Sequence, residues 1–274
     1  MKDLWLKADQ VIERARASGV LEPITTDVQW YSEQGIPFCL RTISHRKPGS
    51  KPDAEIDEDP FVHFDPTLLV TELGEKHHCL LNKYPVLDRH LLIVTREYEP
   101  QTYLLNRRDF YAAACGLKAR DALVFYNSGS IAGASQSHKH LQLVGDLDAI
   151  PFSPLFDLLQ SVAVHQLAQL SFEHRLIALP EQLFTEPNEA AQLLERYYLQ
   201  FSDELNIRHV GEVVQDSYNL LLTRQWMMLI PRRQETVLGV SINALGFVGN
   251  LLVRNAEQLD NLKHYGLMRA LKNL

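Results

Sequence analysis

The sequence predicts an α+β fold, in which an antiparallel sheet of hairpins is covered by helices. Strand-like runs at 77–95 and 123–144 flank a stretch with helical spacing at 107–121. Another hairpin follows at 220–232, and no low-complexity segment or linker separates it from the first unit. Because hairpins must bury their apolar faces against one another or against helices, we expect one compact domain spanning 1–274.

The first sixty residues predict a helix, two strands and a loop. Apolar residues at helical spacing favour an amphipathic helix at 3–17. The stretch 28–43 alternates and is rich in aromatic and β-branched residues, so we expect two short strands broken at Gly35 and Pro37. Residues 44–60 hold lysines, three prolines and a run of acids, which is typical of a mobile surface loop.

The central part predicts a hairpin followed by a helix. Strands at 77–81 and 90–95 are joined by a loop that is too long for a two-residue turn. Asn106 can cap a helix at 107–121, and Asp109 is placed favourably in its first turn.

The remainder of the chain predicts further helices around a second hairpin. Leucine spacing favours helices at 154–170 and 189–205, and another helix is expected at 243–256. The stretches 80–96 and 220–232 share the order strand, turn, strand, basic residue, so we interpret them as degenerate copies of one element.

Composition excludes several classes of protein. Hydrophobic content of 46%, charged content of 22% and a net charge of −7 argue for a globular protein and against a general nucleic-acid or membrane binder. Cys39, Cys79 and Cys115 are widely spaced and contain no C-x-x-C, which indicates reduced core thiols. The N-terminus carries no secretory h-region, and we expect a soluble, cytoplasmic protein.

One stretch, 125–144, carries a chemical pattern. An apolar strand enters a loop of Gly, Ser and Ala residues, and on the strand that leaves it His138, His140 and Gln142 occupy every second position. Their side chains therefore point to one side. Two imidazoles beside exposed backbone N–H groups suit nucleotidyl or phosphoryl transfer. An H-x-H pair alone is also typical of a structural strand, and spacing does not decide which histidine attacks.

The pattern resembles the ATP adenylyltransferase family, also called diadenosine tetraphosphate phosphorylases, a branch of the histidine-triad superfamily. The resemblance rests on the loop at 127–136 and the H-x-H-x-Q pattern at 138–142, and it extends to 82–86, 90–96 and 218–231. It implies a histidine-triad-like antiparallel sheet with two degenerate hairpin-and-helix repeats. The half at 45–150 would carry the nucleophile, and the half at 151–274 would complete the nucleotide pocket.

The resemblance also implies a role for each site residue. His140 would attack the α-phosphorus of a nucleotide to give an adenylyl-histidine, His138 would orient it, and Gln142 would hydrogen-bond the phosphate without acting as an acid. The implied substrate-binding residues are Lys47, Lys51, Asn82, Lys83, Asn127, Gly133, Ala134, Ser135, Gln136, Asn219, Thr223 and Arg224.

The implied reaction is the reversible phosphorolysis of diadenosine tetraphosphate to ATP and ADP. Two other enzymes would use a similar pocket: an adenylylsulfate:phosphate adenylyltransferase and a dinucleoside polyphosphate hydrolase. A nucleotide-binding sensor is the non-enzymatic alternative. We expect nucleotides and phosphate as partners, Mg²⁺ carried in with the polyphosphate, and no metal held by the protein itself.

Overall fold

The computed structural model describes residues 4–45, 59–118, 120–145, 150–156, 159 and 164–274. The helices of these parts are α1 (Leu4–Ser18), α2 (Arg107–Lys118), α3 (Ser153–Phe156), α4 (Pro187–Glu204), α5 (Ala256–Tyr265) and α6 (Leu267–Lys272). The strands are β1 (Thr25–Glu33), β2 (Ile36–His45), β3 (Leu69–Leu73), β4 (His77–Leu81), β5 (His90–Thr95), β6 (Leu123–Asn127), β7 (His140–Val144), β8 (Val164–His165), β9 (Arg175–Ala178), β10 (His209–Val210), β11 (Val213–Val214), β12 (Tyr218–Leu222), β13 (Trp226–Pro231), β14 (Thr236–Val237), β15 (Val240–Ser241) and β16 (Asn250–Val253).

A nine-stranded antiparallel sheet forms the centre of the molecule. Its strand order is β3-β4-β5-β7-β6-β12-β13-β9-β8. β6 and β12 meet at the middle, with Asn127 opposite Asn219. The predicted α+β fold with antiparallel hairpins and packed helices is therefore confirmed.

Each face of this sheet covers its own apolar core, because successive side chains on a strand point to opposite faces. Leu141 and Leu143 of β7 belong to the core that α1, α2 and α4 cover. Val144 belongs to the core on the other side, which is covered by α5, α6 and the small sheet β1-β2-β16. His140 and Gln142 share the parity of Val144, so they lie on the face away from α2.

The sheet contains two similar units, each with the order hairpin, helix, hairpin. The first is β4–β5, α2 and β6–β7, and the second is β8–β9, α4 and β12–β13. Their strand orders mirror one another about the β6–β12 contact. The hairpin at 220–232 therefore corresponds to β6–β7, and pairing it with 80–96 was wrong. The two-residue strand β8 gives too short an apolar pattern to reveal the correct correspondence.

Two predicted helices differ in the structure. Of 154–170, the described part holds only the end of α3 and the strand β8, and Leu155, Leu159 and Leu167 pack on the core without a continuous helix. The stretch 243–256 forms a short 3₁₀ helix, Ala244–Val248, then β16, and α5 begins at Ala256. Gly249 adopts a φ of 90°, which ends the 3₁₀ turn.

The other predicted elements are confirmed within a few residues. The turn between β1 and β2 lies at Gln34 and Gly35, both with positive φ, and Pro37 lies inside β2. Asn106 caps α2, since its Oδ1 accepts from the N–H of Arg108 at 2.9 Å. Most of the loop predicted at 44–60 falls outside the described residues. None of the described helices is long and apolar enough to cross a membrane.

Candidate active site

His140 is a buried imidazole with one nitrogen tied down. Its Nδ1 lies 2.8 Å from the carbonyl oxygen of His138, and only a protonated nitrogen can donate to a carbonyl. Burial lowers the pKa of His140 to about 4, so the ring is neutral at pH 7. The lone pair therefore sits on Nε2, for which the described residues supply no hydrogen-bond partner. This is the tautomer that a nitrogen nucleophile requires.

His138 has both of its nitrogens engaged by acceptors. Its Nδ1 lies 2.6 Å from Asp59 Oδ2, and its Nε2 lies 2.8 Å from the carbonyl oxygen of Thr95. The ring of Phe61 lies between the two histidines, with centroids 5.7 Å from His138 and 5.1 Å from His140. Neither nitrogen of His138 therefore has a lone pair directed to open space, whereas Nε2 of His140 has no hydrogen-bond partner among the described residues.

Gln142 is oriented by a histidine that sequence reasoning treated only as part of a strand. His90 Nδ1 lies 3.2 Å from Asn82 Nδ2, and His90 Nε2 lies 2.8 Å from Gln142 Oε1. Because the Asn82 amide nitrogen can only donate, His90 carries its proton on Nε2 and donates it to Gln142. Burial lowers the pKa of His90 to about 4, which keeps the ring neutral. The amide nitrogen of Gln142 is left to donate to a ligand.

The loop before the histidines makes a tight turn that exposes backbone donors. A 3₁₀ helix, Ser130–Ala132, ends at Gly133, which has a φ of 89°. A Cβ at Gly133 would lie 2.9 Å from Asn243 Cα, so glycine is required both by conformation and by space. The N–H groups of Ser135 and Gln136 donate to no described acceptor. Free N–H groups in a turn of this kind bind anions.

A buried amide at the junction of the two halves also presents a free donor. Asn127 Oδ1 accepts from Asn219 Nδ2 at 2.8 Å and from the N–H of Ala244 at 3.0 Å. Asn127 is 1% exposed, yet its Nδ2 has no partner among the described residues. An unsatisfied buried donor costs free energy, and a phosphate oxygen would satisfy it.

Several predicted substrate-binding residues do not join this group. Lys83 Nζ lies 3.5 Å from Glu22 Oε1, and no described contact joins it to His138 or His140. Thr223 Oγ1 accepts from the N–H groups at the β12–β13 turn, and Arg224 pairs with Asp121. This turn is at the opposite end of β12 from Asn219, roughly 13 Å away at 3.3 Å per residue. Lys47 and Lys51 lie outside the described residues.

A cavity of about 270 Å³ opens beside His90 and the loop that contains Gly133. His90, Phe125 and Gly133 line the side that faces the site, and the rest of the wall is largely apolar. Two buried donors in the wall, Arg41 Nε and Asn250 Nδ2, have no partner in the described parts of the chain. An apolar cavity with a few unpaired donors is suited to a heterocycle that carries acceptor nitrogens.

The structure thus brings together the following predicted residues: His138, His140, Gln142, Asn82, Asn127, Gly133, Ala134, Ser135, Gln136 and Asn219. Sequence reasoning missed Asp59, Phe61 and His90. The only signal for His90 was a polar residue opening an otherwise apolar strand, β5. Asp59 lay within a loop whose composition indicated solvent exposure, so nothing in the sequence linked it to a histidine.

Both halves of the chain match models of known protein families. Residues 1–159 match the model of the Ap4A phosphorylase N-terminal domain, and residues 168–274 match that of the ATP adenylyltransferase C-terminal domain. Diadenosine 5',5'''-P1,P4-tetraphosphate phosphorylase 2 of Saccharomyces cerevisiae is 30% identical over 283 residues, covering 92% of this chain and 84% of the yeast protein. Protein APA1 of the same yeast is 31% identical over 234 residues, covering 75% of this chain and 71% of its own.

Solved structures show the same relationship. Yeast Ap4A phosphorylase Apa2 superposes with a TM-score of 0.83 at 26% identity, covering 99% of this chain and 94% of Apa2. Apa2 in complex with Ap4A superposes with a TM-score of 0.82 at 26% identity, covering 99% of this chain and 96% of that one. The chain therefore belongs to the family of Ap4A phosphorylases and ATP adenylyltransferases.

Proposed function

We propose that this enzyme catalyses the reversible phosphorolysis of diadenosine tetraphosphate to ATP and ADP through an adenylyl-histidine on His140. The observation that carries the proposal is the buried, neutral imidazole of His140, whose Nδ1 proton is held by the carbonyl of His138. In the first step Nε2 forms a bond to the α-phosphorus, and the bond from that phosphorus to its bridging oxygen breaks, releasing ATP. In the second step an oxygen of inorganic phosphate attacks the same phosphorus, the N–P bond breaks, and ADP is released.

The third position of the H-x-H-x-Q pattern favours phosphate over water as the acceptor. Water must lose a proton as it attacks, which requires a general base, and the amide of Gln142 cannot take one. Inorganic phosphate already carries an ionised oxygen at pH 7 and needs no such base. The orientation of Gln142 by His90 leaves its amide N–H groups to hold the phosphate oxygens instead.

The neighbouring donors and the cavity support a nucleotide as substrate. The N–H groups of Ser135 and Gln136 and the Nδ2 of Asn127 supply donors beside His140 for phosphate oxygens. The cavity of about 270 Å³ is large enough to take a purine next to them.

We further propose that Mg²⁺ enters bound to the polyphosphate, since this ion prefers phosphate oxygens and keeps several waters. Within the described residues, no group of three or more His, Cys, Asp or Glu side chains could hold a metal.

The proposal is tested by incubating the protein with diadenosine tetraphosphate in the presence and absence of inorganic phosphate. We expect equimolar ATP and ADP, and only with phosphate. Release of AMP and ATP without phosphate would instead identify a hydrolase, and turnover restricted to adenylylsulfate would identify the alternative adenylyltransferase. Nucleotide binding without turnover would identify a sensor.

We also propose a cytoplasmic location, where nucleotides are present as substrates.

The rate of adenylylation should be insensitive to pH across the neutral range. Because burial holds the pKa of His140 at about 4, the nucleophile stays unprotonated down to about pH 5, and the rate falls only as the pH approaches 4. A solvent-exposed histidine, with a pKa of about 6.5, would lose its activity below that pH. Single-turnover measurements without phosphate, from pH 5 to 8, check this. A rate that halves near pH 6.5 would contradict it.

Replacing His90 by leucine should lower kcat/KM for phosphorolysis by about tenfold to a hundredfold. The substitution removes the hydrogen bond, of about 1–3 kcal/mol, that orients Gln142. Steady-state kinetics at saturating phosphate measure the effect. His264→Leu is the matched control, because that histidine is exposed and bonds only within its own helix. If His90→Leu matched the control, the proposed orientation of Gln142 would be wrong.

A further inference from the structure

Arg232 is a buried cation that has no carboxylate partner among the described residues. It follows β13 directly, is 4% exposed, and its Cζ lies 5.2 Å from the ring centroid of Phe247. Burial lowers its pKa to about 10, which Glu235 partly opposes, so the guanidinium stays charged at pH 7. The carboxylate of Glu235 accepts from Ser241 instead, and Arg232 forms no ion pair with any described residue. Burying an uncompensated charge is costly, so the surroundings must offset it.

The guanidinium donates only to neutral oxygens. Nη1 lies 2.6 Å from Asn219 Oδ1 and 3.3 Å from the carbonyl oxygen of Ala132. Nη2 lies 2.9 Å from the carbonyl oxygen of Gln234. The Nε of Arg232 has no partner in the described parts of the chain. Its strongest contact is therefore the short, charge-assisted bond to Asn219.

This bond fixes the orientation of two amides in succession. Asn219 Oδ1 faces Arg232, which can only donate, so Asn219 Nδ2 points to Ala132 O at 2.9 Å and Asn127 Oδ1 at 2.8 Å. The N–H of Ala244 also donates to Asn127 Oδ1, so the Asn127 amide cannot be reversed. Its Nδ2 is consequently the free donor described above.

We propose that Arg232 is a positioning residue for adenylyl transfer, which acts through Asn219 to orient and polarise Asn127 as a donor to the substrate phosphate. The three side chains form one line of hydrogen bonds with the positive charge at its far end, and such chains strengthen one another. The free donor of Asn127 becomes more acidic, and its bond to a phosphate oxygen strengthens as negative charge develops there in the transition state. The proposal rests on the phosphorolysis reaction proposed above.

The same arrangement explains why the second half of the chain is needed at a site whose nucleophile lies in the first half. Asn219 and Arg232 belong to β12 and the end of β13, whereas Asn127 ends β6. β13, which corresponds to β7, carries Met227, Met228 and Leu229 rather than histidines, so this strand has no counterpart of His140, and the second unit contributes the charge of Arg232 instead.

Three variants test the proposal: Arg232→Lys, Arg232→Met and Asn219→Ser. We expect Arg232→Met and Asn219→Ser to slow single-turnover adenylylation of His140 about tenfold to a hundredfold, the range for one hydrogen bond from a charged group. KM should change less than kcat, because the interaction strengthens in the transition state. Arg232→Lys should recover part of the rate, since it keeps the charge but not the paired donors. Arg233→Met is the matched control, because Arg233 is the next residue and is mostly exposed.

Asn219→Ser leaves the guanidinium in place, so it tests the chain of hydrogen bonds even if Arg232→Met fails to fold. In a double-mutant cycle between Arg232→Lys and Asn127→Ala, the two effects should be far from additive. Additive effects, or a wild-type rate for Asn219→Ser, would overturn the proposal.

A wild-type protein without phosphorolysis would disprove the proposed function alone. In that case the affinity of the wild-type protein for diadenosine tetraphosphate, with and without Asn219→Ser, decides: a severalfold weaker binding supports the role of Arg232, and unchanged binding overturns it.

Discussion

Replacing His140 by asparagine should abolish phosphorolysis, with a loss of about 10⁴-fold or more in kcat, the magnitude typical of removing a catalytic nucleophile. The amide group of asparagine occupies the inner part of the space that the imidazole fills. An amide nitrogen is not a nucleophile, so no N–P bond can form. The ring of His140 is neutral and its Nδ1 proton is bound to His138 O, which leaves Nε2 as the reacting atom. The measurement is the release of ATP and ADP from diadenosine tetraphosphate and phosphate.

Binding and covalent labelling separate this prediction from a loss of folding. The affinity of His140→Asn protein for the substrate should stay within severalfold of the wild type, because the donors of the loop and of Asn127 are untouched. Mass spectrometry of wild-type protein mixed with substrate and no phosphate should show one adenylate on His140. His138→Asn protein is the matched comparison, and it should still be labelled at His140, though more slowly. Adenylate on His138 would reverse the assignment.

The strand that carries the candidate nucleophile could be predicted from sequence because the information is local. His138, His140 and Gln142 are two residues apart, and strand alternation alone places them on one face. The family resemblance implied His140, but spacing alone could not decide between the two histidines. That decision depends on Asp59, which lies 79 residues away from His138, and on the Thr95 carbonyl. No periodicity in a sequence reports which acceptor a ring nitrogen will meet.

The same limit applies to the other long-range contacts of the site. His90 meets Gln142 across 52 residues, and Asn127 meets Asn219 across 92, through strand pairings that depend on register. Thr223 and Arg224 were expected at the site with Asn219 because the family resemblance implied it. A strand of five residues separates its ends by roughly 13 Å, however, so residues at the two ends of β12 cannot share one small pocket.

A buried ionic cluster forms around Lys139, the residue between His138 and His140. Lys139, between the two histidines, is fully buried, and its Nζ lies 2.7 Å from Asp109 Oδ2 and 2.8 Å from the carbonyl oxygen of Leu104. Asp109 Oδ1 lies 2.8 Å from His77 Nε2. Burial raises the pKa of Asp109, but the hydrogen bond from His77 and the charge of Lys139 outweigh it, so the pKa is lower than usual. The cluster joins α2 and β4 to the backbone between His138 and His140.

Replacing Lys139 by methionine should therefore destabilise the protein by about 3–5 kcal/mol, because a buried carboxylate loses its principal counter-charge. The free energy of unfolding in urea measures this, and Lys118→Met, at an exposed lysine of α2, should stay within about 0.5 kcal/mol of the wild type. The double variant Lys139→Met with Asp109→Leu should recover much of the stability, since it removes both buried charges together. Adenylylation should slow in the single variant, because the backbone that positions His140 and its acceptor, His138 O, loses its anchor. A single variant as stable as Lys118→Met would show that the cluster does not hold the strand.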